Sequence, residues 1–443
     1  MPPEGLVPLP EMVSRLERVL AASPADSTEL SWLEARRGQE SNGKRRRDTF
    51  ESLGRTLLIR VRERGRVGVH RTSACDLSDL ENGMRLALAQ ARLSPVAPAS
   101  LAPPGAGGPA AALAGSYDPE LARMNPQKAR EAVQRIAAKG EMARLGWAEG
   151  RMAIVTSEGL RRTAEVTSGW LEVVCGRGPG AGRATAGARS LAVLDPQGVF
   201  ERARGRQGPA DVVPPPEGAV PKVLAGEAAA ALVELLNRKA FTSDSFHCAT
   251  SPLRGRLGEQ VFAPAVNLRD DPTAPAGLPF PFDLLGTATR PVDLVASGVF
   301  LTPVLDERLA RELGRAPTPH LVSPDEAIAT HLFLLPSGQP NDELMRAAEG
   351  GLWIAALDPV ECFDQRDLRF RAVARGVRLI SGGVPGRAVP DLVWEDSLLE
   401  VFNRVLAVGS EPVSVATGGG LLGAVTAPAL ALRGSGSLRF ALD

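Results

Sequence analysis

The stretch VLAGEAAAALVELL, residues 223–236, runs from an apolar strand end through a Gly-Glu pair into an alanine-rich segment. Alanine has the highest intrinsic helix propensity, and apolar residues at this spacing bury one face of a helix. The pattern predicts a strand followed by a core helix over roughly 226–239. Apart from Glu227 the stretch carries no reactive side chain. The stretch is therefore either an ordinary part of the hydrophobic core or the surroundings of an active site that lacks its catalytic residues.

Upstream of this stretch, strand-like runs separated by glycine turns predict an antiparallel meander. The first set covers residues 29–74 and includes RDTFESLG and RTLLIRVRERG as separate runs, and a second set covers 146–176. Helices are predicted from Pro10 to about Leu20, after a capping box of Ser78 and Glu81, and after the N-cap pair Asn125 and Pro126. This half is expected to be an antiparallel sheet with flanking helices.

The segment RQGPADVVPPPEGAVP, residues 206–221, is rich in proline and glycine and predicts a domain boundary. We expect an N-terminal domain over 1–215 and a C-terminal domain over 216–443. Beyond the alanine-rich helix, short strands predominate, with helices at 306–314 and 341–350 that Asp306 and Asn341 are placed to cap. The fold class is therefore predicted as α+β, with a β-rich, barrel-like second domain. The Pro/Ala/Gly-rich stretch 93–116 is expected to be a surface connection.

Composition excludes several classes of function. The 51 basic residues balance the 51 acidic residues, so the whole molecule has no field to attract nucleic acid or an anionic membrane. Four widely spaced cysteines predict buried, reduced thiols rather than a disulfide framework. The start of the chain has no secretory pattern, and no apolar stretch predicts a membrane span. We expect a cytoplasmic protein.

The candidate chemical motifs are weak. The glycine-rich run at 175–190 lacks the pattern of a phosphate loop and predicts a hairpin, and GKRRRD at 43–48 predicts a solvated turn. His247 and Cys248 are neighbours and supply at most part of a metal shell. From the residues alone, we predict no catalytic residue, no metal ligand and no cofactor site.

Several segments, taken in order, resemble the TldD/PmbA family, a metallopeptidase-related family whose members are also known as modulators of DNA gyrase. The N-terminal meander resembles the family's strand, strand, GRVG, helix layout. More specific matches lie in the second half: SPLRGRLGEQV (251–261), NLRDDPTAPAGLPFPFDLLGT (267–287), LTPVLDERLARELG (301–314), NDELMRAAEGGLWI (341–354) and LAVGSEP (406–412). After Val360, however, ECFDQRDLRFRAVARGVRL departs from the family pattern.

The resemblance gives the opening stretch a meaning. In the catalytic TldD-like branch, the corresponding helix bears HExxxH, and a later cysteine is proposed to complete a zinc site. Strand-end alignment places Gly226 and Ala231 where the two histidines would stand, and Glu227 at the glutamate. The tail VATGGGLLGAV has no cysteine. The resemblance then implies a vestigial peptidase position at Gly226, Glu227 and Ala231, as in the PmbA (TldE)-like branch. The alternative is that the helix is part of the core and has no relation to a peptidase site.

What the resemblance implies is a metal-free, non-catalytic subunit of a metalloprotease complex that processes or degrades unstructured peptides. Its expected partner is a TldD-like catalytic subunit in a heterodimer, or a second copy in a homodimer, with no nucleic acid and no membrane. Two alternatives stay open. One is a peptidase with an unrecognised site, in which His247, Cys248 or Cys362 would hold a metal. The other is a regulatory protein acting on a toxin or topoisomerase system.

Overall fold

A computed structural model describes residues 5–42, 49–73, 76–98, 113, 115–137, 141–209, 211–323, 326–417, 423–434 and 436–441. The basic run 43–48, Cys75, most of the stretch 93–116 and the glycine-leucine tail 418–422 lie outside the described residues. The predictions made for these segments therefore stay predictions.

The first half of the chain alternates long strands with helices. Its helices are α1 (Leu9–Ala21), α2 (Leu77–Leu93), α3 (Pro119–Ala122), α4 (Pro126–Ile136), α5 (Leu191–Leu194) and α6 (Pro196–Gly205). Its strands are β1 (Ser27–Ser41), β2 (Phe50–Glu63), β3 (Arg66–Thr72), β4 (Met142–Thr156), β5 (Arg161–Cys175) and β6 (Gly182–Ala188).

These strands form one antiparallel sheet in the order β3-β2-β1-β4-β5-β6. Alternate residues of a strand point to opposite faces, so each face has its own core. One face is covered by helices: α1 and α2 pack around Trp32, and α4 and α6 pack around Trp147. The opposite face carries Met152 and Ile154 against Phe280 and Phe282 of the second half. The predicted sheet with flanking helices is confirmed.

Four local predictions for this half can be compared with the structure. The two runs predicted as separate strands form a single strand, β2, because Gly54 pairs in register with Ala35 and the ladder continues through it. The predicted capping box at Ser78 is wrong, since α2 begins at Leu77 after Asp76 without a side-chain cap. The N-cap at Asn125 is confirmed, and its side chain accepts a hydrogen bond from the N–H of Lys128 at 3.0 Å. The glycine-rich run closes the β5–β6 hairpin, as predicted.

The second half is built from short strands around one long helix. Its helices are α7 (Gly226–Leu236), α8 (Ser243–His247), α9 (Glu307–Glu312), α10 (Asn341–Ala347) and α11 (Leu398–Asn403). Its strands are β7 (Lys222–Leu224), β8 (Leu268–Asp270), β9 (Val292–Ala296), β10 (Val299–Phe300), β11 (Leu321–Ser323), β12 (Glu326–Ala327), β13 (His331–Leu334), β14 (Leu352–Ile354), β15 (Ala356–Asp364), β16 (Arg369–Arg375), β17 (Arg378–Ser381), β18 (Val384–Ala388), β19 (Leu392–Ser397), β20 (Val405–Val408), β21 (Val413–Ala416), β22 (Ala424–Ala427), β23 (Leu430–Leu432) and β24 (Ser437–Phe440).

The larger sheets of this half run in the orders β10-β9-β8-β13-β22-β21, β18-β17-β14-β7-β23-β20 and β15-β16-β19-β24. Helix α7 lies among them in the largest core cluster, with Leu232, Val233 and Leu236 fully buried. The α+β class is confirmed. Over the described residues the strands form open sheets rather than one closed barrel, because β7, β13 and their neighbours belong to different sheets that enclose α7. No helix in the described part of the chain is long and apolar enough to span a membrane.

The helix predictions for this half are largely confirmed. Helix α9 is capped by Asp306, whose carboxylate accepts from the N–H of Leu309 at 2.8 Å. The predicted Asn341 cap of α10 is wrong, since Asn341 is the first helical residue and Pro340 precedes it without a side-chain cap. Helix α7 ends at Leu236 and continues as a π-helical turn at Asn237–Phe241.

Candidate functional site

The predicted vestigial position, Gly226, Glu227 and Ala231, lies where β7 ends and α7 begins, in the second half. Strand β7 is an inner strand with β14 parallel on one side and β23 antiparallel on the other. Ala225, the N-cap residue of α7, donates its N–H to the carbonyl of Ile354 at 2.9 Å. The sheet therefore fixes the start of α7 and the positions of the two residues that follow.

Gly226 stands where the backbone of a neighbouring strand leaves no room for a side chain. A Cβ at this position would lie 2.5 Å from the carbonyl oxygen of Ala427 in β22 and 3.4 Å from Val413 in β21. Protein interiors are close-packed, and a carbonyl of a paired strand cannot be displaced without disturbing its ladder. With β22 in this position, a histidine cannot replace Gly226.

Glu227 is buried and held in an ion pair. Its carboxylate oxygens accept from the two terminal guanidinium nitrogens of Arg206 at 2.8 and 3.1 Å, a bidentate arrangement, and from the N–H of Thr185 at 3.4 Å. Arg206 also donates to the carbonyl of Arg183 at 2.8 Å and lies 5.6 Å from the ring centroid of Trp353. The glutamate is thus tied to β6 and to the end of α6 rather than solvated.

Ala231 is half-buried and packs against the main core. Residues 226 to 236 are regular α-helix, and the π-helical turn begins only at Asn237. On a regular helix, two positions five residues apart point about 140° away from each other. Side chains at 226 and 231 would not converge on one ion. A glycine, an ion-paired glutamate and an alanine in this geometry do not fit a zinc ion.

The other candidate ligands do not converge either. Nε2 of His247 lies 2.7 Å from a carboxylate oxygen of Asp306. The Cys248 thiol lies 3.6 Å from the carboxylate of Asp244. Cys362 lies in β15, where burial raises the pKa of its thiol. Within the described ranges, no three His, Cys, Asp or Glu side chains are grouped so as to hold a metal ion.

The cysteine prediction is partly wrong. Cys175 is buried, and burial raises the pKa of its thiol to about 11. Cys248, by contrast, is exposed at the end of α8, and Cys362 is half-buried. The difference arises because α8 is a short helix at the surface, and only its phenylalanine and serines face the core.

Sequence reasoning missed a buried polar cluster in the second half, which we call the histidine cluster: Asp270, Asp283, His320 and His331, with Arg189 from the first half. Nε2 of His320 lies 2.8 Å from a carboxylate oxygen of Asp270, and the other oxygen accepts from the N–H of His331 at 2.6 Å. The residues come from five segments. Only the DDP letters at 270–272 hinted at them.

Burial and local partners shift the acid-base properties of this cluster. Burial alone would raise the pKa of Asp270, but His320 and the His331 N–H outweigh it and the pKa is lowered. Burial lowers the pKa of His331 to about 4 and raises that of Asp283 to about 6. Arg189 donates to the carbonyls of Leu278 at 2.7 Å and Pro279 at 3.2 Å.

A small cavity of about 30 Å³ lies beside His320, His331 and Asp283. A cavity needs about 10–15 Å³ on this measure to hold one water molecule, so this space suits one or two waters. It is too small for a peptide. The histidine cluster lies where Arg189 of the first half contacts Leu278 and Pro279 of the second, and nothing in its geometry indicates a substrate site.

Comparisons with known proteins agree with this architecture. Residues 217–435 match the family model described as PmbA/TldA metallopeptidase C-terminal domain. This part of the chain is therefore a C-terminal domain of the PmbA/TldD family, and the resemblance drawn from the sequence is confirmed there.

One curated protein and two solved structures are also similar to this chain. A protein of Methanothermobacter thermautotrophicus described as a metalloprotease is 26% identical over 203 residues, which are 45% of this chain and 44% of that protein, so the match spans less than half of the relative's length. A Thermotoga maritima structure described as a proposed modulator of a DNA gyrase aligns with a TM-score of 0.79 and 20% identity, covering 98% of this chain and 100% of that one. TldE of Thermococcus kodakarensis aligns with a TM-score of 0.79 and 19% identity, covering 95% and 99%. At these identities the structures show a shared fold alone.

Proposed function

We propose that the chain is the metal-free, non-catalytic subunit of a TldD/PmbA-type metalloprotease complex that processes or degrades unstructured peptides. Its partner is a TldD-like subunit bearing HExxxH, or a second copy of the chain, and its compartment is the cytoplasm. One observation carries the proposal. At the first histidine position, Gly226 lies under the Ala427 carbonyl with no space for a side chain.

The neighbouring glutamate supports the same conclusion. A general base beside a metal-bound water needs a carboxylate that can receive a proton. Both oxygens of Glu227 accept hydrogen bonds from Arg206, and the arginine is in turn held by the Arg183 carbonyl. The cation beside this glutamate is therefore a guanidinium supplied by the chain itself.

Metal content and co-purification test the proposal. The chain is purified alone and after co-expression with an HExxxH-bearing relative from the same genome, and zinc is measured in each sample. We expect the chain alone to contain no stoichiometric zinc, to leave an unstructured peptide intact and to co-purify with the relative. Stoichiometric zinc together with cleavage by the chain alone would contradict the proposal.

The regulatory alternative predicts a different result. A chain acting on a topoisomerase would co-purify with that enzyme and not with the HExxxH-bearing relative. The relative with its two histidines replaced is the control, because its complex should still form while its zinc is lost.

A further inference from the structure

A cleft of about 390 Å³ opens beside the proposed vestigial position. It lies between residues 205–209, at the C-terminal end of α6, and the β17–β18 hairpin, with Trp353 of β14 in its wall. Arg206 lines this cleft and also holds Glu227, so the cleft and the vestigial position share a residue. Its volume falls within the range of about 300–1,000 Å³ that is typical of ligand pockets.

The lining is cationic. Arg206, Arg378 and Arg387 all contribute, and the lining contains no aspartate or glutamate. Glu227 offsets the charge of Arg206. Arg378 and Arg387 make no ion pair with a carboxylate of the described residues.

Arg378 is only 3% exposed, and hydrogen bonds hold its guanidinium in one orientation. Its two terminal nitrogens donate to the carbonyls of Gly386 at 3.1 Å and Gly180 at 3.0 Å. A guanidinium has five N–H groups, so three have no partner among the described residues. Burial lowers the pKa of this side chain, as expected for a cation that lacks an anion nearby.

Gly208 shows how closely the guanidinium is packed. A Cβ at this position would lie 2.0 Å from a terminal nitrogen of Arg378. The arginine therefore lies flat against the chain at residue 208, in a space that only glycine leaves free. A buried, oriented fork of N–H donors is the arrangement that proteins use to bind carboxylate or phosphate through two parallel hydrogen bonds.

The apolar part of the wall favours a peptide over a simple anion. Trp353 is nearly buried, and Pro209 and Pro385 line the cleft beside it. Such a wall suits an aliphatic side chain attached next to the anionic group. We infer that this cleft binds the C-terminal carboxylate of a peptide, with Arg378 and Arg387 holding the carboxylate and Trp353 contacting the last side chain. The choice of a peptide rests on the proposed function.

Calorimetric titration of the full chain alone tests this inference. The probe is the unstructured peptide Gly-Ser-Gly-Ser-Leu with a free C-terminal carboxylate, compared with the same peptide as a C-terminal amide. The amide cannot form charge-assisted hydrogen bonds with the two arginines, so we expect the free acid to bind at least about tenfold more tightly than the amide. Equal affinity for the two peptides would overturn the inference.

Variants and a competitor sharpen the test. Arg387→Glu changes an exposed residue and should weaken binding of the free acid about tenfold or more, while Arg290→Glu, an exposed arginine outside the cleft, should bind it as the wild type does. Arg378→Lys keeps the charge but loses the planar fork, and should also weaken binding. Displacement of the peptide by equimolar inorganic phosphate would overturn the peptide assignment in favour of a simple anion site.

The titration tests the cleft independently of the proposed function. The titration uses the chain without any partner, so a failure to find a TldD-like partner leaves it interpretable. If the pair forms and cleaves peptide while acid and amide bind alike, only the cleft inference fails.

Discussion

At the scale of single residues, Gly226 is the position where packing bears most directly on function. Gly226→Ala should lower the free energy of unfolding by about 1–3 kcal/mol, the usual cost of overpacking, because the new Cβ meets the Ala427 carbonyl. Chemical denaturation checks this. Gly205→Ala is the matched control, since Gly205 also lies in a helix and has open space around it. Its substitution should be neutral or slightly stabilising; equal losses for the two would show that the Ala427 carbonyl is not the obstacle.

The Arg206–Glu227 pair gives a second prediction at this scale. Removing one partner of a buried ion pair leaves a charge unpaired, so Glu227→Gln and Arg206→Met should each cost about 3 kcal/mol of stability. The double variant should lose clearly less than the sum. A double-mutant cycle by denaturant unfolding measures this coupling. The exposed pair Arg346 and Asp342 is the control and should show a coupling below about 1 kcal/mol. A similarly small coupling for Arg206 and Glu227 would contradict the account.

These residue contacts show where sequence reasoning reaches its limit. The letters VLAGEAAAALVELL predict the strand and the helix, because propensity and apolar spacing are local properties. They do not indicate that Arg206 lies against Glu227 or that β22 covers Gly226, since these contacts join distant parts of the chain. The histidine cluster was missed for the same reason. Its members are polar residues scattered from 189 to 331, and only the tertiary fold brings them together.

At the scale of elements, one of two predicted N-caps in the first half is present in the structure and the other is not. Asn125 caps α4 through a side-chain hydrogen bond, whereas Ser78 lies inside the first turn of α2 and caps nothing. Asn125→Ala should therefore cost about 1 kcal/mol of stability, and Ser78→Ala should change it by only a few tenths of a kcal/mol. Thermal or denaturant unfolding of both variants checks the pair. A larger loss for Ser78→Ala would mean that α2 begins later than Leu77.

Sheet organisation was predicted less well than single elements. The N-terminal antiparallel sheet followed from alternation along long strands, and a period of two is a strong signal. In the second half most strands have two to five residues, too few for alternation to specify which strand pairs with which. The expected barrel-like arrangement is instead a set of open sheets around α7. The parallel pairing of β7 with β14 joins strands more than a hundred residues apart, which a local pattern cannot reveal.

At the scale of the whole molecule, the histidine cluster links the halves and makes stability depend on pH. Asp283 has a pKa raised to about 6, so its protonated form is favoured in the folded state. Its contribution is fully present below the unfolded value of 3.8 and is lost as the pH rises through about 6. His331, with its pKa lowered to about 4, acts in the opposite direction: its contribution is present above 6.5 and is lost as the pH falls towards 4.

Replacing the carboxyl group separates the two contributions. Asp283→Asn removes the titrating group and keeps its shape. Relative to the wild type, the variant's free energy of unfolding should therefore increase by up to about 3 kcal/mol between pH 4 and pH 7. Urea unfolding at a series of pH values measures it. Asp367→Asn, at an exposed carboxylate, is the control variant measured over the same pH series. A pH-independent effect of Asp283→Asn would contradict the assigned shift.

For the whole molecule, the central proposal is that this chain does not cleave peptide by itself and acts within a catalytic pair. The measurement that tests it most directly is the rate at which an unstructured peptide is cleaved by an HExxxH-bearing relative from the same genome, with and without this chain at equal concentration. The account predicts no cleavage by this chain alone and faster cleavage by the pair than by the relative alone. Cleavage by this chain alone, or a pair no faster than the relative, would contradict it.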